Sequence, residues 1–295
     1  MNRIGIDIGG TKIEIAVLAS DGTIAFRRRV AMPTRYGAAL EAVAGLVEAA
    51  EAAAGPAASV GVGFPGRIDP ESFHVRDGTA LNGHAIDADL AAALGRPVRV
   101  ANDAVCFALS EATDGAGRGA RVVFGVILGT GVGGGVVVDA RPVLGANGLA
   151  GEWGHNRFPF ENPADLPGKA CWCGRRGCIE TVLSGVALAQ DCDGPAAHDA
   201  STIPTRAAAG DKRAQAALRR HTENFARALA EIVNILDPDV IVLGGGLSNM
   251  AHLYTETPDL MRRSQFCRLG RTAVRRAVHG DSSGVRGAAW LWPDD

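Results

Sequence analysis

The sequence lacks the features of a nucleic-acid-binding, membrane or secreted protein. Its 295 residues carry a formal net charge of −2, which gives no electrostatic field for nucleic acid or for an anionic membrane. The most apolar stretch, residues 122–138, is interrupted by glycines and a threonine and is therefore unsuited to span a bilayer. The N-terminal residues enter an apolar strand at once and show neither an export signal nor a transit peptide. We therefore expect a cytoplasmic protein with no nucleic-acid and no membrane partner.

Cysteine is scarce, with six in the chain, and nothing indicates a disulfide framework. Three of the six, Cys171, Cys173 and Cys178, nevertheless fall in one short segment downstream of His155. Three thiolates and one imidazole complete the tetrahedral ligand set of zinc and leave no open position, which is typical of a structural site. The alternative is that these cysteines are small buried hydrophobic residues. Their glycine- and arginine-rich surroundings favour zinc.

The length and the hydrophobic content of 47% predict a soluble globular protein of roughly two domains. One order of elements, three strands followed by a helix and a strand, occurs twice along the chain. In the first half these elements are predicted at residues 4–8, 13–18, 23–30, 37–54 and 59–64. In the second half they are predicted at residues 122–128, 136–138, 142–144, 211–236 and 239–243. The fold class is therefore α/β, with two halves around a cleft.

The domain boundary is predicted at a glycine-rich hinge near residues 115–121. The N-terminal domain would comprise residues 1–117, and the C-terminal domain residues 118–281 with a zinc-binding insertion at 151–180. A C-terminal helix, at about residues 282–295, ends in apolar residues and is expected to pack back on the first domain.

A carboxylate and a glycine turn at the first strand indicate a phosphate site. Asp7 lies inside an apolar strand, where an isolated charge is costly and needs a partner. The turn that follows is Gly9-Gly10-Thr11-Lys12, whose backbone N–H groups could converge on phosphate oxygens. Phosphates bring Mg²⁺, which Asp7 could bind directly or through water. The alternative is a tight hairpin with a hydrogen-bonded aspartate.

Two further glycine runs follow apolar strands in the second half. The run at residues 129–134 is predicted to bind a polyphosphate from the side opposite the turn after Asp7, and the run at residues 245–246 to bind an adenosine. Each could also be an ordinary turn, and the Walker pattern of nucleotide-binding loops is absent. The nucleotide-binding residues proposed in these runs are Gly129, Thr130, Gly131, Val132, Gly133 and Gly134, together with Gly245 and Gly246.

Asn102 and Asp103 follow a short strand and precede a helix. Both residue types favour the first position of a helix, so capping is one interpretation. The other is that Asp103, kept ionised by the helix N-terminus, accepts a proton from a sugar hydroxyl. The two interpretations are compatible.

The combined motifs resemble the ROK family (repressor, open reading frame, kinase) of sugar kinases, from residue 4 to about residue 292. The matching segments include residues 6–12, 101–103, 128–135, 151–155, 171–180 and 237–246. This resemblance implies an actin-like ATPase (ribonuclease H-like) fold that binds ATP with Mg²⁺, a structural Zn²⁺ and a hexose. Within the family, residues 151–159 and the segment 279–292 look most like the bacterial fructokinases, including mannofructokinase.

The resemblance also implies a role for individual residues. Asp103 would be the catalytic base, Asp7 would serve magnesium, and His155 with the three cysteines would bind zinc. The sugar would be held by Asn82, Asn102, Asp103, Glu152, His155 and Glu180. His155 can serve both metal and sugar because imidazole has two nitrogens.

The predicted activity is ATP-dependent phosphorylation of D-fructose at the 6-hydroxyl, with mannose and glucose as further substrates. The alternatives are an N-acetylglucosamine kinase or a glucokinase of the same family. N-acetylglucosamine kinases usually have Phe where Trp153 stands. A sugar-responsive repressor is disfavoured, because only three residues precede Ile4 and the net charge is slightly negative. A homodimer is plausible for the family.

Overall fold

The computed structural model describes residues 1–267 and 270–292, apart from the side chains of Thr79 and Asp281. Its strands are β1 Asn2–Ile8, β2 Lys12–Leu18, β3 Ile24–Ala31, β4 Ala57–Phe64, β5 Arg67–Ile68, β6 Val75–Arg76, β7 Arg99–Asn102, β8 Val122–Leu128, β9 Val132–Val138, β10 Arg141–Val143, β11 Val240–Gly244 and β12 Ala273–Arg276. Its α-helices are α1 Tyr36–Ala54, α2 Ile86–Leu94, α3 Asp103–Thr113, α4 Glu180–Leu183, α5 Gly185–Asp193, α6 Ile203–Ala208, α7 Lys212–Leu236, α8 His252–Thr255, α9 Thr257–Ser264 and α10 Ser283–Ala289. None of the helices in these described ranges is long and apolar enough to cross a membrane.

The first compact unit comprises Met1–Gly119, Gly135–Ala150 and Val278–Asp295. Its sheet has the order β3-β2-β1-β4-β7, in which β1, β2 and β3 are antiparallel neighbours and β4 and β7 run parallel to β1. Isoleucines of β1 and β2 are fully buried against the apolar side of α1, which forms the core of this unit. The parallel arrangement of β1, β4 and β7 brings the carboxyl ends of these strands to one edge, the usual place for ligands in such sheets.

Glycines allow α10 to lie directly on the backbone of its neighbours in this unit. A β-carbon at Gly5 of β1 or Gly61 of β4 would lie 1.9 Å from a carbonyl oxygen of α10. A β-carbon at Gly287 of α10 would lie 1.6 Å from the carbonyl oxygen of Cys106 in α3. Because these distances are far below van der Waals contact, α10 can pack this closely on β1, β4 and α3 only while these positions lack side chains.

The final helix is shorter than the predicted 282–295, because it ends at Ala289. Side-chain hydrogen bonds also hold two residues beyond its end. Arg99 donates to the carbonyl oxygen of Leu291 at 3.1 Å, and Trp292 donates its indole N–H to Val60 in β4 at 2.7 Å. Residues 293–295 of the predicted helix lie outside the described residues.

A buried polar network joins the end of α3 to the segment before α10. Glu111 is fully buried, and its carboxylate accepts hydrogen bonds from the backbone N–H groups of Val278 and His279 and from the Ser283 hydroxyl. Asp114 contacts His279 Nε2 at 2.8 Å and also pairs with Arg286. Burial alone would raise the pKa of Asp114, but the hydrogen bonds with His279 and Arg286 outweigh it and hold the pKa below its ordinary value.

Asp114→Asn is expected to lower the free energy of unfolding by about 1–3 kcal/mol at pH 7, because it leaves the Arg286 charge without its partner. The folded-state pKa of Asp114 is lowered, so its contribution is complete above the unfolded value of about 3.9 and is lost as the pH falls below it. The difference between the parent and the variant should therefore shrink in acid. Urea unfolding at pH 7, 5 and 3 measures it, with Asp165→Asn at an exposed position as the control. A difference that stays constant with pH would contradict this assignment.

The second compact unit comprises Ala120–Gly134 and Gly151–Ala277. The second sheet has the order β10-β9-β8-β11-β12, with β8, β11 and β12 parallel. The long helix α7 begins where the Asp211 side chain accepts from two backbone N–H groups. It ends at Asp237, whose left-handed φ of 47° precedes Pro238. The repeated order of three strands, a helix and a strand is present in both halves, and the α/β fold class is confirmed.

Strand β9 begins at Val132, earlier than the predicted residue 136, so Gly133 and Gly134 are strand residues rather than turn residues. The reason is packing. A β-carbon at Gly134 would lie 2.7 Å from the Trp153 ring, and one at Gly135 would lie 2.6 Å from the carbonyl oxygen of Ala104. The glycine run therefore has two roles. Residues 129–131 form a turn, and the glycines that follow allow close packing of β9.

Candidate active site

The turn after β1 leaves its central backbone open to solvent. Gly9 donates its N–H to the Lys12 carbonyl at 2.9 Å and closes the turn. Gly10 is exposed, and a β-carbon placed there would meet no atom within 4 Å. Because the space in front of Gly10 is free, a phosphate could approach its N–H.

Asp7 and Asp103 are half-buried carboxylates of the first unit. Burial, the largest cause, and the negative charges of Asp103 and Glu14 together raise the pKa of Asp7 to about 6. Burial also raises the pKa of Asp103, against the hydrogen bond that it accepts from the Ala104 N–H at 2.8 Å. Two carboxylates with raised pKa values, one of which raises the pKa of the other, form an environment that a divalent cation would stabilise.

Glu14 is a buried member of this charged group that sequence reasoning missed. It is fully buried and is the cross-strand partner of Asp7 in the β1–β2 pair. Its carboxylate binds Arg27 Nε at 2.5 Å and Arg29 Nε at 2.6 Å, and Lys12 Nζ lies 3.8 Å away. The sequence feature that indicates this group is a glutamate within the apolar strand β2, next to the arginine-rich strand β3. Glu14 therefore holds the cationic side chains of Arg27, Arg29 and Lys12 near the glycine turn.

Asn102 is the N-cap of α3. Its Oδ1 accepts from the Ala104 N–H at 2.8 Å, and its Nδ2 donates to the Gly66 carbonyl at 3.0 Å. Capping therefore accounts for Oδ1, while Nδ2 ties the start of α3 to the Gly66 carbonyl. Asp103 is the first residue of the helix that Asn102 starts, so the cap fixes the backbone of the candidate base.

Asn82 stabilises a loop of the first unit. Its Oδ1 accepts from the Gly78 N–H at 2.7 Å, while the residue is exposed. The sugar-binding role that the resemblance implies for Asn82 stays a prediction.

The glycine turns of the second unit lie at the carboxyl ends of parallel strands. Residues 129–131 follow β8, and Gly129 accepts from the Gly185 N–H at 2.8 Å. Gly245 and Gly246 follow β11. A β-carbon at Gly245 would lie 2.3 Å from the Leu128 carbonyl oxygen, whereas Gly246 is exposed with open space before it. Neighbouring parallel strands thus present two turns at one edge, where α/β sheets usually bind nucleotides.

Glu180 begins α4 and contacts the end of the first of these turns. Its Oε2 accepts from the Val132 N–H at 3.0 Å, and a β-carbon at Gly131 would lie 2.6 Å from the same oxygen. The turn therefore brings a carboxylate and backbone amides together within the second unit. Glu152 is half-buried and immediately precedes the short 3-10 helix Trp153–His155.

The four candidate metal ligands, His155, Cys171, Cys173 and Cys178, converge in the second unit. Their ligand atoms all lie within 4.8 Å of one another. His155 Nδ1 lies 3.6 Å from Cys171 Sγ, and Cys173 Sγ lies 3.6 Å from Cys178 Sγ. Bonds of about 2.0–2.3 Å to a tetrahedral zinc place ligands about 3.3–3.8 Å apart, and these two separations lie in that range.

The backbone around these cysteines is a tight hairpin. Cys171 donates its N–H to the Arg175 carbonyl at 2.8 Å, and Gly174 and Gly177 adopt left-handed φ values of 85° and 70°. Burial alone would raise the pKa of Cys173, but hydrogen bonds from Arg175 and the neighbouring thiols lower it to about 6. The hairpin therefore favours the thiolate, the form that binds metal, at Cys173, whereas burial raises the pKa of Cys171 and Cys178.

Comparison with known proteins identifies the group to which this arrangement belongs. The profile of the ROK family matches residues 3–295. The N-acetyl-D-glucosamine kinase of Salmonella typhimurium is 40% identical over 302 aligned positions, which cover 97% of this chain and 98% of that enzyme. The corresponding kinase of Salmonella newport is equally similar.

Solved structures agree with the sequence comparison. The ROK hexokinase from Thermus thermophilus superposes with a TM-score of 0.87 at 31% identity, covering 99% of this chain and 97% of that one. A ROK family glucokinase from Streptomyces griseus, solved with glucose and AMPPNP, gives a TM-score of 0.76 at 28% identity and covers 99% of both chains. The fold is thus that of the ROK sugar kinases, with the actin-like ATPase architecture. The chain belongs to the ROK family and is a sugar kinase of that family.

Proposed function

We propose that the chain transfers the γ-phosphoryl group of ATP to the 6-hydroxyl of N-acetyl-D-glucosamine. The observation that carries this proposal is the 40% identity to N-acetyl-D-glucosamine kinases over almost the whole of both chains. The expectation of fructose rests on resemblance in two segments only. Identity along the full length is the stronger support, because sugar contacts are spread over several loops.

Asp103 is the proposed catalytic base. Phosphoryl transfer has a loose transition state, so orienting the hydroxyl matters more than strong basicity. Asp103 stands at the N-terminus of α3, where the helix dipole favours the carboxylate form. Its raised pKa would make it a better proton acceptor than an exposed aspartate. Asn102 supports this role by capping the same helix.

Asp7 is the proposed residue for Mg²⁺, bound directly or through a water. A cation would offset the repulsion between Asp7 and the neighbouring carboxylates of Asp103 and Glu14, which supports this assignment. Magnesium would supply charge neutralisation at the phosphates of ATP. Each unit offers backbone for the nucleotide by itself: the turn at residues 9–12 in the first unit, and the turns after β8 and β11 in the second. Lys12, paired with Glu14 at 3.8 Å, would add a positive charge at the first turn.

The zinc site is proposed to be structural. Its donors would be His155 Nδ1 and the three thiolates, which leave His155 Nε2 for a sugar hydroxyl. Glu152 and Glu180 would accept further hydroxyls. The metal would hold this sugar-binding segment in one conformation.

Fructose is the second candidate substrate. Trp153 favours it, because N-acetylglucosamine kinases of the family usually have Phe at this position. The Trp153 indole N–H donates to the Gly133 carbonyl at 2.9 Å, a bond that Phe would lack. Any effect on the sugar would pass through the backbone of β9.

A coupled ADP-release assay tests the substrate proposal. We expect kcat/KM with Mg-ATP to be at least about tenfold higher for N-acetyl-D-glucosamine than for fructose, mannose or glucose, a difference of about 1.4 kcal/mol in transition-state binding. Reactions without sugar give the background hydrolysis, and Asp103→Asn serves as the inactive control. A higher value for fructose would replace the first candidate by the second. Turnover of none of these sugars would refute the proposed function.

A homodimer and a cytoplasmic location remain predictions. Size-exclusion chromatography with light scattering measures the mass of the particle directly. A mass of twice 30.4 kDa would support the dimer.

A further inference from the structure

Trp172 is an exposed aromatic residue held between two proposed metal ligands. It lies between Cys171 and Cys173, and the residue is 69% exposed. A side chain so exposed contributes little to the core of the second unit. The metal hairpin nevertheless fixes its backbone, so the ring has a defined position.

The Trp172 indole N–H is directed at a carboxylate. Nε1 donates to Glu180 Oε1 at 2.6 Å, while Glu180 Oε2 accepts from the Val132 N–H at 3.0 Å. Two donors from separate segments, one on each oxygen, fix the plane of the carboxylate. Each oxygen can accept a second hydrogen bond, so the carboxylate can still receive two neighbouring hydroxyls.

Trp172 also contacts the other residue proposed to bind the sugar. Its ring meets the His155 imidazole edge to face, with centroids 4.8 Å apart and planes at 84°. His155 Nδ1 is directed at the thiols, so the ring contact constrains the imidazole that offers Nε2. One exposed indole therefore touches both side chains.

We propose that Trp172 is a positioning residue for the sugar, which sets the orientation of Glu180 so that this carboxylate accepts a pair of adjacent hydroxyls of a neutral pyranose. This inference rests on the proposed function and adds to it a residue that determines sugar affinity. The indole acts through Glu180, and its effect is confined to sugar binding. ATP binding and metal binding do not depend on the indole N–H.

The test is Trp172→Phe, which removes the N–H and keeps an aromatic ring beside His155. We expect the KM for the sugar to rise roughly tenfold, because a hydrogen bond to a charged acceptor is lost. kcat, the KM for ATP and the zinc content should stay close to the parent values. Calorimetric titration of N-acetyl-D-glucosamine in the absence of ATP should show the same loss of affinity.

Trp292→Phe is the matched control, because it also removes one indole hydrogen bond, to Val60 in the first unit. It is expected to lower stability without changing the sugar KM. A double-mutant cycle with Glu180→Ala then asks whether Trp172 acts through this carboxylate. In the Glu180→Ala background, Trp172→Phe should change sugar affinity less than about twofold, since the effects of coupled residues are not additive.

The outcomes separate this inference from the proposed function. If the parent binds and phosphorylates the sugar but Trp172→Phe has an unchanged KM, the positioning role is overturned and the kinase assignment stands. Full additivity in the cycle also overturns it, because the indole would then act independently of Glu180. If the parent neither binds nor phosphorylates any sugar, both the positioning role and the proposed function are refuted.

Discussion

Asp103→Asn is expected to lower kcat by about a hundredfold or more, with the KM for sugar nearly unchanged. Removal of a general base typically costs 10²–10⁴-fold in rate. Asparagine keeps the size and the hydrogen-bonding oxygen of the side chain but cannot take the proton of the sugar hydroxyl. Steady-state rates at saturating ATP and sugar measure the effect.

The structure explains why this substitution should spare the fold. The oxygen that accepts from the Ala104 N–H has a counterpart in the asparagine amide. The cap of α3 is Asn102, which stays in place. The loss of activity should therefore come without a change in unfolding temperature, which separates a chemical role from a structural one.

Asp21→Asn provides the control for this experiment. Asp21 is an exposed aspartate in the β2–β3 turn that accepts from Thr23. We expect its replacement to leave kcat within twofold. Wild-type turnover in Asp103→Asn would remove the base assignment, whereas an unfolded variant would indicate that Asp103 is needed for the structure of α3.

Much of the fold could be predicted because periodicity and turn residues agree with the tertiary structure. Helix α1 begins at Tyr36, one residue before the predicted start, and ends at the predicted Ala54. The start of strand β9 differs from the prediction, because glycine is typical both of turns and of close packing. The sequence does not reveal that Gly134 faces the Trp153 ring, since that contact depends on the tertiary structure.

The candidate site was predictable to the extent that its residues form local motifs. The zinc ligands and the glycine turns are visible as spacings. Glu14 was missed because its arginine partners lie on the neighbouring strand, where pairing register decides which side chains meet. Trp172 was missed because nothing in the spacing of the cysteines indicates that the intervening indole reaches Glu180.

Cys173→Ser is expected to abolish stoichiometric zinc binding and, with it, most sugar affinity. Serine has nearly the size of cysteine, but its hydroxyl is not a soft anionic ligand at neutral pH. Zinc, measured by plasma emission spectroscopy, should fall from about one ion per chain to a small fraction of that value. The sugar KM should rise at least about tenfold, because the ligand His155 and the neighbour Glu180 lose their support.

The same variant should unfold at a lower temperature, since the metal contributes to the stability of the folded second unit. Chelation of the parent protein is expected to reproduce both effects, and added Zn²⁺ should reverse them in the parent only. Cys267→Ser is the matched control. Cys267 is an exposed cysteine of the same unit and lies outside the ligand cluster, so zinc content and sugar KM should not change.

The relation between the two readouts decides what the metal does. If zinc content and sugar KM change together while the KM for ATP does not, the metal supports the sugar-binding segment specifically. If zinc is lost but the sugar KM is unchanged, the ion stabilises the hairpin without positioning His155 and Glu180. Equal zinc content in the variant and the parent would refute Cys173 as a ligand, because a tetrahedral site with three remaining donors binds the ion far more weakly.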